Sequence, residues 1–547
     1  MWTRPSEKKM THQHARRDFL KTFAATAVIA SPAAALAHAT APATEKASEA
    51  AQPARPFYSV VDFGAIGDGK ALCTSAMQKA VDTCASEGGG KVIVPAGRYL
   101  TGPIFLKSNV HVEAFAGATL LFTTDFDSVP AIDGRWEGVD GKVYASLFTG
   151  SNLDNVSITG RGTLDGQGEA WWKAFRVVRE MRKKLGIEGQ REVENPPGLP
   201  LKWGRPRMIN LYRSRNILIS GLNIVNSPSW NVHPVLCENV CIDGITITAP
   251  PDSPNTDGID PDSCRHLRIA NCYISVGDDC IIIKSGYRYQ AHGTPSEDIT
   301  VTNCVFGTGH AGVGIGSETA GGVKNVTISN CICDGTERGM RFKTARGRGN
   351  VMENVRASNL VMRNVGEAVT VTMFYTGGDT HAPQPISEGT PLVRNLHFSG
   401  ITGTGVKRAA LIEGLPEMPI QGISLSDVVV DDAAAGVTCT NAIGAVFDNV
   451  MVNAEKGPAL HVDHAREVEV YRFTTRKPKA GDPVVRFENV NDAVVQSCTA
   501  AAGTGTFLEL RGTGNRDLSL FANRLTRAAR EIDFVGGATE DAIVKRA

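Results

Sequence analysis

From about residue 150 the chain repeats one unit: a polar residue, a short run of alternating apolar residues, a turn carrying Gly or Asn, and a second short run. The unit reads NVSITGRGTLDG from Asn155, NILISGLNIVNS from Asn216 and NVCIDGITITAP from Asn239. It continues as HLRIANCYISVG from His266, DITVTNCVFGTG from Asp298 and NVTISNCICDG from Asn325, with fainter copies at Asn354, Asn395 and Ile423. Steps of roughly 23 to 32 residues suit one turn of a solenoid, whose repeats bury a continuous core only by stacking. The strands are too short for βαβ units, and no helical periodicity separates them. A β-sandwich would need hairpin turns with Asn-Gly or Asp-Gly chemistry between strands. The expected fold class is all-β, a single-stranded right-handed parallel β-helix. High glycine, 57 residues, and only 6% aromatics agree with many tight turns around a thin core.

A solenoid needs covers over its open ends. FYSVVDFGAIGDG, an amphipathic helix expected around Thr74 to Ser86, and GGGKVIVPAGRYL make residues 56–125 an N-terminal cap with the first coils. Residues 126–547 are then expected to form the rest of the parallel β-helix. An insertion at about 171–207 interrupts it, where WWKAFRVVREMRKKLGIEGQ is charged and helix-prone and NPPGLP ends the run. Fragments such as EVEVYRF and PVVRFENV read as further coils rather than a second domain.

Ahead of the cap, Arg16 and Arg17 precede Phe19-Leu20-Lys21, an alanine-rich apolar run and a small-residue site at Ala37-His38-Ala39. Residues 1–39 thus resemble a twin-arginine export signal, and 40–55 a disordered linker. The apolar run is shorter than the ~20 residues of a membrane span. The expected location is periplasmic or extracellular, with no membrane attachment after signal removal. Lys plus Arg equals Asp plus Glu, 57 each, and no block of like charge suggests nucleic acid as a partner. The chain is expected to act as a monomer. Its twelve cysteines lie mostly in strand-like runs without paired zinc knuckles, which favours buried free thiols.

Against this background four polar motifs stand out: NTDGID (Asn255 to Asp260), VGDDC (Val276 to Cys280), GHAG (Gly309 to Gly312) and RGMRFK (Arg338 to Lys343). Stacked coils advance by ~4.8 Å, so Asp257, Asp278, Asp279, His310, Arg341 and Lys343 should converge within on the order of 15 Å. Arg341 and Lys343 alternate with Phe342, so both cations should face out and Phe342 in. Asp278 and Asp279 can share a face only at a bend, which Gly277 could permit. Three crowded carboxylates cannot all ionise easily, and one kept protonated beside others that are not is what glycoside hydrolysis requires. Arg341 and Lys343 add an anion site, so the predicted substrate is an acidic sugar polymer. No metal or cofactor is expected. Asp260 and Asp262 do not supply a twelve-residue calcium loop. His233 reads as structural, and Asn271, Asn303 and Asn330 as internal turn ladders. Tyr375, about one coil past Lys343, is placed to meet a sugar.

In this order the motifs resemble those of glycoside hydrolase family 28, the polygalacturonases, whose pattern is NTD, a DD pair, GHG and RIK. The likeness extends to GTLDGQGEAWW (Gly162 to Trp172), NSPSWNVHPVLCENV (Asn226 to Val240) and VGIGSETAGGVKNV (Val313 to Val326). The resemblance implies a pectin-lyase-like solenoid and an inverting mechanism on α-1,4-linked galacturonic acid in pectic polysaccharide or oligogalacturonide. Asp278 would be the general acid, Asp257 and Asp279 would activate water, and His310 would tune the acid. Arg341 and Lys343, with Asn255 and Tyr375, would bind substrate. Bacterial exo-acting members point to release from a chain end, with the insertions at Thr123 to Tyr144 and Lys173 to Arg207 walling the groove. Ala311 and Phe342 depart from GHG and RIK without removing a chemical group. A pectate-lyase-type eliminase, a rhamnogalacturonan or xylogalacturonan hydrolase and a non-enzymatic glycan-binding solenoid are the alternatives.

Overall fold

A computed structural model describes residues 57–187, 194–289, 293–375 and 380–544. The export signal and the linker expected at 1–39 and 40–55 lie outside the described residues. The described chain is a right-handed parallel β-helix whose coils form three stacks of strands. The first stack includes Asp154–Gly160, Arg215–Ser220, Glu238–Asp243, Arg265–Ala270 and Ser296–Thr302. A second runs through Thr163–Asp165, Asn223–Val225, Thr246–Thr248 and Tyr273–Ser275. The third, which carries the polar motifs, includes Ile209–Tyr212, Val232–Val235, Ile281–Ile283, Val313–Ile315 and Arg338–Lys343.

Register explains the sequence repeat. Ile217, Val240, Leu267, Ile299 and Val326 pair in succession and are all buried, so one alternating pattern builds one rung per coil. Each such side chain contributes about 1.5–3 kcal/mol by leaving water. The turn between neighbouring strands needs a left-handed residue. Asn216, Asn239, Asn325 and Asn354 supply it at φ 57°, 52°, 57° and 57°, a conformation that short polar side chains tolerate. Their amides then bond from coil to coil, Asn239 to Asn216 at 2.7 Å and Asn354 to Asn325 at 3.1 Å. Asn271, Asn303 and Asn330 form a second such corner, with Asn303 donating to Asn271 at 3.4 Å. Both ladders run along solvent-exposed corners rather than inside, because the αL turn points the amide away from the core.

All twelve cysteines are free thiols, and all but Cys241 are buried. Cys272, Cys304 and Cys331 follow Asn at one corner, each donating its S–H to the carbonyl two residues earlier. Helix α1, Thr74–Ser86, covers the open first coil with Met77, Ala80, Val81 and Cys84. Strands Val485–Gln496, Thr506–Arg511 and Arg530–Val535 keep the parallel register, so the C-terminal region is more solenoid. No helix of the described residues is long and apolar enough to cross a membrane.

The interruptions have their own structure. Residues 131–144 form an antiparallel hairpin, Ala131–Trp136 with Val139–Tyr144. Its two turn residues, Glu137 and Gly138, both have positive φ, the geometry that matches strand twist. Helix α2, Gly168–Lys184, follows, and its buried Trp171 packs on Phe122, Phe126 and Tyr144. A further long coil separates Val355 from its partner Leu396, a step of 41 residues that the repeat pattern did not mark.

Candidate active site

Asp257, Asp278 and His310 sit at the corners where successive coils turn into the third stack, ahead of Ile259, Ile281 and Val313, which pair with one another. The chain bends at Gly277 and Asp278, and this bend lets Asp278 and Asp279 both reach the groove. Glycine is required at 277 for space rather than for a positive φ. A Cβ there would lie 2.2 Å from the Ser253 carbonyl oxygen. Ala311 adopts ordinary backbone angles and its carbonyl accepts from Cys280 N–H at 2.8 Å, so the departure from GHG costs nothing locally.

The fold gathers all six predicted residues. Asp278 Oδ1 accepts from its neighbour's N–H at 2.9 Å and meets His310 Nδ1 at 2.9 Å. Asn255 Nδ2 donates to Asp278 Oδ2 at 3.5 Å. Asp279 is buried and receives Lys343 Nζ at 2.9 Å and Arg341 Nη1 at 3.4 Å. Tyr375, 39% exposed, lies with its ring 5.0 Å from Lys343 Nζ and 5.7 Å from Arg341 Cζ. Phe342 points inward as expected and packs on Phe398 at 5.4 Å. Both cations face the groove side and turn toward Asp279, with which they pair.

One oxygen from each of Asp257, Asp278 and Asp279 lies within 4.8 Å of the others. Linear spacing suggested no metal site, yet these oxygens are close enough to share one cation. The positive charge already beside them belongs to Lys284, Lys343 and Arg341. Burial, with Asp278 and Asp260 as like charges, pushes the Asp257 carboxyl well above the ordinary range. Burial also opposes the charge on Asp279, but Lys343 and Arg341 outweigh it and hold that carboxyl below the ordinary range. The hydrogen bond to Asp278 raises His310 against the effect of its burial. The crowding expected from the motifs therefore falls on Asp257, while Asp279 escapes it through its cations.

Several participants escaped the motif search. Lys284, at the end of the apolar run Ile281–Ile283, lies 3.5 Å from Asp260, 3.7 Å from Glu318 and 3.9 Å from Asp257. A lone lysine closing an apolar strand was the available signal. Asp260 and Asp262 are structural charges: Asp262 pairs with Arg135 of the hairpin at 3.0 Å. Burial raises Asp260 to about 8, opposed by Lys284. His233 is fully buried against Trp230 and Asn210, and burial lowers it, in keeping with a structural role.

The segment after α2 also reaches this centre. Arg205 is buried, donates to the carbonyls of Pro228 and Pro254 and to Asn255 Oδ1 at 2.7 Å, and stacks on Phe175 at 3.8 Å. Burial works against its charge, which Glu137, Asp257 and Asp278 favour. The hairpin lies over the same coils: Trp136 stacks on Trp230 at 5.2 Å, and Gly138 accepts from Tyr287 N–H at 3.3 Å. The interruptions are therefore packed on the coils that carry the polar motifs, not remote from them.

Comparison with known proteins gives a consistent result. Residues 198–449 match the family described as Glycosyl hydrolases family 28, and residues 57–173 match the description Rhamnogalacturonase A/epimerase, pectate lyase-like. A probable polygalacturonase of Vitis vinifera is 37% identical over 402 residues, covering 71% of this chain and 77% of the relative. An endo-polygalacturonase of Pectobacterium carotovorum subsp. carotovorum is 34% identical over 317 residues, covering 55% of this chain and 72% of the relative. The crystal structure of a hyperthermoactive exopolygalacturonase from Thermotoga maritima superposes with a TM-score of 0.64 at 34% identity, covering 73% of this chain and 92% of that one.

Proposed function

The chain belongs to glycosyl hydrolase family 28, and from that premise we propose that it is an inverting, exo-acting hydrolase of α-1,4-linked galacturonic acid in polygalacturonate. Asp278 is the general acid and gives its proton to the leaving glycosidic oxygen. Its carboxyl is the least buried of the three, with its side chain 18% exposed, and His310 and Asn255 fix its direction. Asp257 and Asp279 take a proton from the attacking water, which makes the bond to the anomeric carbon as the leaving oxygen departs. Substrate carboxylates compete for Arg341 and Lys343, with Tyr375 as the platform beside them. The observation that carries this reading is the division of partners: Asp278 meets a histidine, while Asp257 and Asp279 each face a lysine.

Exo action rests on the hairpin. Its Gly138 meets Tyr287, three residues beyond Lys284, so residues 131–144 stand as a wall beside the catalytic corner. Loops of this length in a compact fold commonly carry such functions. Viscometry of polygalacturonate tests it. Slow viscosity loss with steady release of mono- or disaccharide is expected, whereas a rapid fall at low reducing-end yield means internal cleavage. Parallel digests of rhamnogalacturonan and xylogalacturonan should be slower. Chelation should leave the rate unchanged, and an ultraviolet-absorbing unsaturated product would mean elimination.

Export by the twin-arginine route is part of the same proposal and rests on residues 16–39. Replacing Arg16 and Arg17 with lysine should retain the enzyme in the cytoplasm, and unchanged export would remove that assignment.

A further inference from the structure

The three carboxylates differ in the cations they touch. Asp279 has Lys343 and Arg341. Asp257 has Lys284, whose side chain is 6% exposed and whose ammonium sits 4.2 Å from the Trp230 ring centre. Among the described residues Asp278 has no lysine or arginine within 4.0 Å, only His310. A cluster this tight holds a proton, and for hydrolysis that proton must rest on the acid and not on either base. We propose that Lys284 is a positioning residue whose ammonium eases ionisation of Asp257 and so lets that carboxylate act as the base. The proposal rests on the roles assigned above to Asp257 and Asp278.

The site makes the need for such a residue explicit. Asp257 is buried, and its Oδ1 has no hydrogen-bond partner. Burial and the like charges of Asp278 and Asp260 raise its carboxyl on balance even with Lys284 opposing them, so removing Lys284 would raise it further. Asp279 adds to this repulsion, and Arg205 acts across the corner in the opposite sense. Lys284 is itself shared. Glu318, beyond the strand Val313–Ile315, and Asp260 face its ammonium along with Asp257 and, further off, Asp279. His233 and Arg207 also lie against Trp230, and His233 is kept neutral by its burial and by Arg207, Lys284 and Arg135. Burial opposes the charge on Lys284, but Glu318, Asp260 and Asp257 outweigh it, so the ammonium persists.

The test is the pH profile of kcat/KM on de-esterified oligogalacturonate for full-length enzyme. Lys284→Met should move the acid limb upward by at least one pH unit, about a tenfold loss on the acid side for each unit, with KM nearly unchanged. Lys284→Arg should restore the limb. Glu318→Gln, which removes a competitor for Lys284, should move it downward and guards against a Lys284→Met protein that fails to fold. A uniform loss in Lys284→Met with the limb in place, or an unmoved limb in Glu318→Gln, overturns the proposal. Asp257→Asn separates the two levels. If it stays active, the role of Asp257 is wrong. If it is inactive while Lys284→Met keeps its limb, only the inference about Lys284 fails.

Discussion

The third stack has the same inner face along its length but two different outer faces. Val232, Ile259, Ile281, Val313, Met340, Val369, Ala410 and Val437 follow one another in register, all buried and apolar. Over coils 232 to 343 the outward positions hold His233, Asp260, Asp262, Lys284, Arg341 and Lys343, alongside Ile282 and Gly314. Further along they hold Thr370, Thr372, Leu411, Thr438 and Thr440, with Glu413 as the one carboxylate among them. The first set is rich in titratable groups and mostly buried, and Arg135 of the hairpin pairs with Asp262. Burying charge is costly unless it is paired, and apolar replacements are often more stable. The inner face serves the fold; on the outer face Asp262 and His233 are structural, and the proposed chemistry draws on Lys284, Arg341 and Lys343.

The strongest way to break this comparison is to remove one outer charge. Asp278→Asn should lose at least about 10²–10⁴-fold in turnover, the usual share of acid catalysis, with an unchanged melting temperature. Thr438→Ala, on the quiet outer face, should leave turnover within about twofold. A folded, active Asp278→Asn enzyme would erase the distinction. On the inner face the two regions should instead behave alike. Phe342→Ala and Phe487→Ala, both fully buried, should each cost about 3–5 kcal/mol in denaturant titration. A much smaller cost at Phe342 would mean that the catalytic coils are held by their charges.

A third effect is expected on stability against pH. Asp260 is raised from 3.8 to about 8, so the folded state binds its proton more tightly than the unfolded state. Its contribution is fully present below pH 3.8 and is lost as pH rises through 8. Asp260→Asn removes this dependence, so the variant should gain on the parent protein between pH 4 and 8. A parallel pair of stability curves would show that Asp260 does not titrate in that window.

The difference between the two faces also explains what could be read from sequence. Alternating apolar residues and Asn turns repeat at every coil, so the solenoid, α1 at Thr74–Ser86 and the burial of Phe342 are visible in a linear pattern. The six groove residues were visible because their polar motifs recur about one coil apart in a chain of otherwise apolar strands. Lys284 was not, since five residues separate it from Asp279 on one coil while its partners Asp260 and Glu318 lie on others. Arg205 and Arg135 come from interruptions that carry no repeat, and only the packed structure shows them reaching Asn255 and Asp262. The pairing of Arg341 and Lys343 with Asp279 likewise depends on side-chain direction across 62 and 64 residues.

The most direct test of the carboxylate mechanism is the anomeric form of the first product, followed by proton NMR during hydrolysis of an α-linked oligogalacturonate. Inverting sites built from two carboxyl groups usually hold them ~6.5–9.5 Å apart, and retaining ones ~5–5.5 Å. Here the nearest oxygens of three carboxylates lie within 4.8 Å, so the outcome is a sharp discriminator. With Asp278 as acid and Asp257 and Asp279 activating water, the β-anomer should appear first and then mutarotate. Initial release of the α-anomer would mean a covalent intermediate on one of these carboxylates, and would contradict the account.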